Sequence, residues 1–329
     1  MRKIAVRFGL SVLVSLTIYP LVAIGLIISD SHREPPAGKE PLSFGALTGD
    51  IGELPPLEGY QARDGTALSY RFYPSDSHRV LILRHGSGWH SRYLAPMARQ
   101  ISAGGYAHVI TPDLRGHGPD PVRRGDIDYT HQLVDDLADL IDHVRKDRPD
   151  ATLVIGGHSS GGGLALRFAG SRYGPQADGY LLLAPWLQYN ATTIRPDGSG
   201  WATPYTRRII GLTLLNNLGI SALNNLSVIR FNMPTEVRDG TETLSYSYRL
   251  NTGYAPGDYT EALSAIDQPL LVLVGSEDGL FYPEKFRPVV NRYTEGDVRV
   301  IDGASHLGIV VDKSVVPAIG DWLETDITD

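Results

Sequence analysis

The most constraining feature of the 329-residue sequence is the glycine-rich stretch GGHSSGGG, which lies between a short apolar run and a segment of helical periodicity. A turn with a nucleophilic serine at its tip needs small residues two positions before and two positions after that serine, because a Cβ there would collide with neighbouring backbone. Ser159 has Gly157 and Gly161 at these positions. For Ser160 the earlier position is the bulky His158. The pattern therefore predicts Ser159 as a nucleophile in a strand–turn–helix elbow.

A serine nucleophile needs a general base, and the pKa of histidine suits that task. Of the ten histidines, His306 is the only one that follows Ser159. In elbow-type hydrolases the chain order is serine, acid, histidine. The acid should follow the predicted strand 270–274, where Asp278 is the first choice and Glu277 the alternative. Its expected task is to accept the Nδ1–H bond of the histidine and fix its tautomer.

Two backbone N–H groups are expected to stabilise the oxyanion that forms when the serine attacks a carbonyl. One should belong to Ser160, the residue after the nucleophile, at the start of a helix whose dipole assists. The other should come from the His-Gly-Ser-Gly loop after the predicted strand 80–83, with the Ser87 N–H as the candidate. His85 and His158 are interpreted as hydrogen-bonding residues that organise these loops, and not as acid–base groups.

Around these loops, short apolar runs alternate with segments of helical periodicity. Runs without polar alternation are typical of buried parallel strands, so we expect a mostly parallel sheet with helices on both faces. The predicted strands are residues 67–73, 80–83, 106–111, 152–155, 180–183, 270–274 and 298–301, and the predicted helices are 90–104, 129–148, 160–172, 283–293 and 313–324. Residues 186–267 break the alternation and are predicted to be an insertion.

These motifs together resemble the α/β-hydrolase superfamily. The resemblance is carried by His85-Gly86-Ser87-Gly88 with Ser91-Arg92-Tyr93, by Asp113-x-Arg115-Gly116-His117-Gly118, by Gly157-x-Ser159-x-Gly161, by Gly275-x-x-Asp278 and by His306. The sequence is most similar to the monoacylglycerol lipase and lysophospholipase branch, which is grouped with serine aminopeptidases of the proline iminopeptidase type. The resemblance implies an α/β-hydrolase fold with a core of residues 58–185 and 268–329. It also implies that residues 186–267 form a cap over the active site.

The N-terminal residues 1–29 form a separate segment. Arg2, Lys3 and Arg7 precede 21 uncharged residues, 8–28, which as a helix would span roughly 30 Å, the thickness of a bilayer core. We expect one uncleaved transmembrane helix, with a cleaved signal peptide as the alternative, because the stretch is long and its exit lacks a small-x-small cleavage pattern. The positive-inside rule then predicts that the catalytic domain lies outside the cytoplasm. If the segment is cleaved, we expect the protein to be secreted. The proline-rich residues 30–57 are predicted to be a linker.

Composition limits the functional classes further. The absence of cysteine excludes a cysteine nucleophile and a thiolate zinc site. A net charge of −7 with no long basic run argues against nucleic-acid binding. The sequence contains no cofactor motif and no metal-ligand spacing, so we expect neither a cofactor nor a metal, and we infer no protein partner.

The expected function is hydrolysis of a carboxylic ester, lipid-like or another acyl ester, through an acyl-enzyme on Ser159. The insertion contains apolar and aromatic residues that suit an acyl chain or form the core of the cap itself: Trp186, Tyr189, Trp201, Tyr205 and the run 209–215. Two alternatives stay open. One is an aminopeptidase or amidase that uses the same triad, with acidic residues of the insertion holding an α-amine. The other is a non-catalytic binding protein with the same fold.

Overall fold

The computed structural model describes residues 18–30, 42, 44–47, 51–196 and 200–327. Most strands in this part are short and apolar, as the alternation of the sequence predicts. The strands are β1 (Leu57–Gln61), β2 (Ala67–Tyr73), β3 (Arg79–Arg84), β4 (His108–Asp113), β5 (Thr152–His158), β6 (Gly179–Leu183), β7 (Ala202–Pro204), β8 (Ser227–Phe231), β9 (Ser245–Ser247), β10 (Leu270–Glu277) and β11 (Asp297–Ser305).

Eight of these strands form one sheet in the order β1-β2-β4-β3-β5-β6-β10-β11. From β4 to β11 all neighbours are parallel, whereas β2 is antiparallel to both β1 and β4. The predicted mostly parallel sheet is therefore confirmed. Because the carboxyl ends of parallel strands share one edge of a sheet, the loops after β3, β5, β10 and β11 meet there.

The helices pack on the large sheet or belong to, or contact, the segment between β6 and β10. They are α1 (residues 18–29), α2 (Ala95–Ala103), α3 (Gln132–Asp147), α4 (Ser160–Ala169), α5 (Thr206–Asn216), α6 (Tyr248–Tyr254), α7 (Tyr259–Ser264), α8 (Phe286–Val290) and α9 (Val315–Thr325). Helix α2 contacts α9, and α3 contacts α4. The core between helices and sheet includes Leu81, Ile82, Val154 and Ile155, all fully buried.

Strand β1 has no counterpart among the sequence predictions. It pairs with β2 at the edge of the sheet, and of its five residues only Tyr60 is buried. An edge strand with one buried side chain lacks the apolar run or the regular alternation that reveals a strand in a sequence.

The segment between β6 and β10 builds a second, antiparallel sheet of β7, β8 and β9, followed by α6 and α7. Helices α6 and α7 pack on α4. The Thr243 N–H also donates to the Gly88 carbonyl at 3.0 Å. The insertion is thus fixed directly to the loop after β3.

Helix α1 lies against this insertion. Ala23 and Ile27 are buried with Leu212 and Leu215 of α5 in a separate small core. The contact is close because α5 has a glycine there: a Cβ on Gly211 would lie 2.5 Å from the Ala23 carbonyl oxygen.

The opposite face of α1 exposes apolar side chains, among them Leu21 at 67% and Ile28 at 72%. Residues 8–17 of the predicted membrane span lie outside the described residues. Within the described part of the chain, no helix combines the length and the apolar composition needed to cross a membrane.

Candidate active site

Ser159 occupies a sharp turn between the end of β5 and the start of α4. Its backbone has φ 55° and ψ −121°, a region that residues other than glycine rarely adopt. Such a conformation is retained only when the surrounding structure enforces it, and it is concentrated at functional sites. Ser160 instead begins α4 with ordinary helical geometry.

The flanking glycines have the steric role that the sequence predicts. A Cβ on Gly157 would lie 2.2 Å from the Gly161 carbonyl oxygen, and a Cβ on Gly161 would lie 2.5 Å from the carbonyl oxygens of Arg84 and His85. Backbone cannot yield to such contacts without movement of the turn. The elbow and the loop after β3 are therefore packed directly on each other.

His306 and Asp278 follow the neighbouring parallel strands β11 and β10. His306 Nδ1 lies 2.8 Å from Asp278 Oδ2, and both side chains are buried. The other oxygen, Oδ1, accepts the backbone N–H bonds of Leu280 at 2.8 Å and Phe281 at 2.9 Å. Glu277, the alternative acid, is exposed to solvent.

These contacts determine the charge state of the carboxyl group. Burial alone raises the pKa of Asp278, but the nearby His306 and the two backbone donors outweigh it, and the pKa lies below its ordinary value. Asp278 is thus an ionised carboxylate that orients the His306 ring with its Nδ1 proton toward Oδ2.

Ser159 and His306 line the same pocket, together with Gly86, Ser87 and His158. Asp278 is joined to this pocket through its bond to His306. The remaining walls are mostly apolar or aromatic: Leu42, Phe44, Leu47, Trp89, Tyr93, Trp201 and Leu307. The free volume is about 20 Å³, which is room for about one water molecule.

Two backbone N–H groups are available beside the serine. Within the described residues, neither the Ser87 nor the Ser160 N–H has a protein acceptor. The neighbours of Ser87 are both held, since Gly86 N–H donates to Tyr93 Oη at 2.6 Å and Gly88 N–H donates to Tyr246 Oη at 2.9 Å. The arrangement can donate two hydrogen bonds to a negatively charged oxygen.

The histidines of the two loops are buried among backbone hydrogen-bonding groups. His85 Nε2 accepts the Leu114 N–H at 3.1 Å, and burial lowers the pKa of His85 to about 4. Burial, with the neighbouring His306, lowers the pKa of His158 to about 3. Both rings are neutral near pH 7, which suits them for organising loops and not for exchanging protons.

Several residues of this site have no counterpart among the sequence predictions. Tyr246 reaches the loop after β3 from the insertion, and Leu42, Phe44 and Leu47 come from the predicted linker. The only signal for the linker residues was their apolar character among prolines and polar residues. Trp201, singled out in the insertion, does line the pocket.

Several known proteins are similar to this chain in sequence. The model of the family described as "Serine aminopeptidase, S33" matches residues 75–312, well over half of the chain. Human monoglyceride lipase is 29% identical over 226 residues, which cover 66% of this chain and 71% of that protein. The monoacylglycerol lipase of Mycolicibacterium smegmatis is 29% identical over 111 residues, which cover 34% of this chain and 39% of the relative.

Solved structures share the fold. A soluble variant of monoglyceride lipase from Saccharomyces cerevisiae aligns with a TM-score of 0.65 at 18% identity, and the match covers 86% of this chain and 99% of the other. A carboxyl esterase from Bacillus coagulans aligns with a TM-score of 0.64 at 17% identity, over 84% of this chain and 100% of the other. The fold is the α/β-hydrolase fold, and the predicted class of serine hydrolase is confirmed. The chain belongs to the serine aminopeptidase S33 family of α/β-hydrolases.

Proposed function

We propose that this protein hydrolyses carboxylic esters, with Ser159 as the nucleophile, His306 as the general base and Asp278 as the residue that orients the base. The observation that carries the proposal is the pocket shared by Ser159 and His306, with His306 Nδ1 held 2.8 Å from Asp278 Oδ2. The strained backbone of Ser159 adds to it, since a φ of 55° at a serine is enforced by close packing of the elbow.

The reaction proceeds in two halves. The Ser159 oxygen attacks the ester carbonyl while His306 Nε2 takes the hydroxyl proton, and the N–H groups of Ser87 and Ser160 stabilise the oxyanion. The intermediate collapses, the C–O bond to the alcohol breaks, and His306 returns the proton to the leaving alcohol. Water then attacks the acyl-enzyme with His306 again as base, which releases the acid and regenerates Ser159.

The pocket supports an apolar acyl group. Apart from the polar groups of the reaction itself, its walls are aliphatic and aromatic, and among the described residues no carboxylate lines it. The names of the relatives, monoglyceride and monoacylglycerol lipases, point in the same direction. We propose a lipid-like acyl ester as substrate.

The family name makes an aminopeptidase the second candidate. An acidic group that could hold an α-amine lies in a neighbouring hollow, which contains Glu236, Asp239 and Glu242. Two of these carboxylates have internal partners, since Asp239 pairs with Arg92 and Glu242 accepts the N–H groups of Asp239 and Gly240. The ester is therefore favoured.

Hydrolysis by the full-length protein in detergent tests both candidates. It is offered p-nitrophenyl esters of increasing acyl length and aminoacyl anilides, with Ser159→Ala as the inactive variant and Ser264→Ala, at an exposed position outside the pocket, as its matched control. Ester turnover that is lost only in Ser159→Ala supports the proposal, whereas faster anilide turnover would make the protein an aminopeptidase. A folded wild type that fails to react with a fluorophosphonate would be a non-catalytic binding protein.

We also propose that residues 1–29 anchor the protein in a membrane, followed by the linker 30–57, and that residues 186–267 cap the core of 58–185 and 268–329. The apolar face of α1, with Ile18, Leu21 and Ile28 exposed, supports the anchor. In the sequence, this helix follows the uncharged residues 8–17. By the positive-inside rule, Arg2, Lys3 and Arg7 support a catalytic domain outside the cytoplasm.

Cell fractionation tests the anchor. An anchored protein stays with the membrane after carbonate washing, keeps its N-terminal segment, and is digested by protease added outside the cytoplasmic membrane. Release by carbonate would contradict the anchor, and a mature N-terminus near residue 30 would show a cleaved signal peptide.

A further inference from the structure

A chain of three buried hydrogen bonds crosses the loops that form the site. The Gly86 N–H donates to Tyr93 Oη at 2.6 Å, Tyr93 Oη lies 2.9 Å from His158 Nδ1, and His158 Nε2 lies 2.9 Å from the His306 carbonyl oxygen. Tyr93, His158 and His306 are each at most 4% exposed. These hydrogen bonds therefore link the loop after β3, the elbow and the loop after β11.

The chemistry of the end groups fixes every proton in this chain. The His306 carbonyl can only accept, so His158 Nε2 must carry a hydrogen. A neutral ring then has no hydrogen on Nδ1, which must accept from the hydroxyl of Tyr93. The same hydroxyl oxygen accepts the Gly86 N–H, because a backbone N–H can only donate. One tautomer of His158 satisfies all three bonds.

We propose that Tyr93 and His158 are positioning residues. Through these hydrogen bonds they hold three parts in one fixed arrangement: the oxyanion loop (the loop after β3, which carries the Ser87 N–H), the elbow and the backbone of His306. The inference rests on the proposed ester hydrolase. Neither side chain transfers a proton to the substrate. Their effect is on where Ser87, Ser159 and His306 stand relative to one another.

The close packing of the three loops makes such positioning necessary. A Cβ on Gly86 would lie 3.1 Å from the Ser159 Cβ, so a small shift of the oxyanion loop changes the distance between its N–H groups and the reacting serine. His306 is held at its side chain by Asp278, and the bond from His158 holds its main chain. Misplacement of reacting groups by about 1 Å can cost about 100-fold in rate.

The same hydrogen bonds also keep a second positive charge away from the reaction. The rings of His158 and His306 are 4.8 Å apart between centroids. When His306 takes the serine proton it becomes a cation, and a protonated His158 would repel it. The hydroxyl of Tyr93 occupies the Nδ1 lone pair, so His158 stays neutral.

Steady-state kinetics with p-nitrophenyl butyrate test the proposal on the full-length protein. We expect Tyr93→Phe and His158→Phe each to lower kcat by about 10- to 100-fold with KM changed less than about twofold. The kcat of the double variant should be little lower than that of the slower single variant, because both substitutions break the same series of hydrogen bonds. Tyr180→Phe is the matched control, since it removes the hydroxyl of a buried tyrosine that donates to the Gly174 carbonyl, away from the site. It should keep the wild-type kcat.

A second readout does not depend on turnover. Nitrogen NMR of histidine-labelled protein, assigned through the resonances that His158→Phe removes, should show His158 protonated at Nε2 and bare at Nδ1. The opposite tautomer, an unchanged kcat in folded single variants, or losses that multiply in the double variant would each overturn the proposal. A protein whose ester turnover survives Ser159→Ala would instead overturn the proposed function and leave the tautomer result standing.

Discussion

The two carboxylate oxygens of Asp278 have different partners, and this difference determines what an amide would do in the same place. Oδ1 accepts two backbone N–H groups, and Oδ2 accepts the His306 Nδ1 proton. An asparagine has one acceptor oxygen and one NH₂ group. Because two backbone donors already claim the Oδ1 site, the amide would turn its NH₂ toward His306 and stabilise the tautomer that lacks the Nδ1 proton.

Asp278→Asn should therefore lower kcat for ester hydrolysis by roughly 10⁴-fold, since His306 in the wrong tautomer cannot accept the serine proton. Glu277→Gln is the matched control: it makes the same chemical change one residue earlier, on an exposed side chain. Wild-type rates in Asp278→Asn, or an equal loss in Glu277→Gln, would show that the base is oriented by another group.

At the scale of single residues, local sterics could be predicted from the sequence and long-range hydrogen bonds could not. The sequence predicts Ser159 and not Ser160 as the nucleophile because the residues two positions before and after it must be small. The short contacts that a Cβ on Gly157 or Gly161 would make explain this requirement. Tyr93 bonds to His158 across 65 positions of the chain. Only the folded sheet brings these two loops together, so no local pattern indicates the pair.

At the scale of elements, part of the predicted linker forms a wall of the active-site pocket. The 3-10 helix Phe44–Leu47 places Phe44 against Trp201 at 5.7 Å and Trp89 at 6.4 Å between ring centroids. Phe44 is 6% exposed, and the remaining free volume beside Ser159 is about 20 Å³. An acyl chain bound beside Ser159 would therefore contact the ring of Phe44.

Phe44→Ala should therefore favour longer acyl groups, because it removes a ring that fills the pocket. We expect the ratio of kcat/KM for p-nitrophenyl decanoate to that for the butyrate to rise about tenfold, in the range that a change in pocket size can produce. Leu54→Ala, which truncates an apolar side chain outside the pocket lining, is the control. An unchanged ratio would mean that the acyl group binds along another wall.

Elements with a clear hydrophobic periodicity are predicted well from the sequence. The predicted helix 129–148 corresponds to α3, Gln132–Asp147, whose buried face includes Leu133, Leu137 and Val144. The strands of the insertion have only three to five residues each and pair antiparallel with distant partners. Their stability comes from cross-strand contacts and packing. The sequence therefore shows that the alternation of strands and helices is interrupted there, but it does not predict the structure of the insertion.

At the scale of the whole molecule, the parallel sheet places the loops after β3, β5, β10 and β11 at one edge, and this brings together residues from distant parts of the chain. Such assembly buries polar side chains that a local site would leave in water. His85, His117 and His158 are all buried, and burial lowers the pKa of each: to about 4 for His85, to about 3 for His158, and well below the ordinary value for His117.

These three histidines should make the fold sensitive to acid. Each has an ordinary pKa near 6.5 in the unfolded chain and a lower one in the folded protein, so below about pH 6.5 the unfolded state binds more protons. Their contribution to the free energy of unfolding is therefore complete above that pH and falls as the pH drops toward the folded-state values. Each can contribute a slope of up to about 1.4 kcal/mol per pH unit.

His117→Gln isolates one of these contributions. Its absolute stability should drop, because His117 Nε2 bonds to Tyr246 Oη at 2.6 Å. The slope of the unfolding free energy between pH 6 and pH 4.5, measured by urea denaturation at a series of pH values, should decrease by up to about 1.4 kcal/mol per pH unit. His78→Gln makes the same substitution at an exposed position and is the control. An unaltered slope in His117→Gln would mean that His117 binds its proton equally in the folded and unfolded states, which would contradict a buried neutral ring.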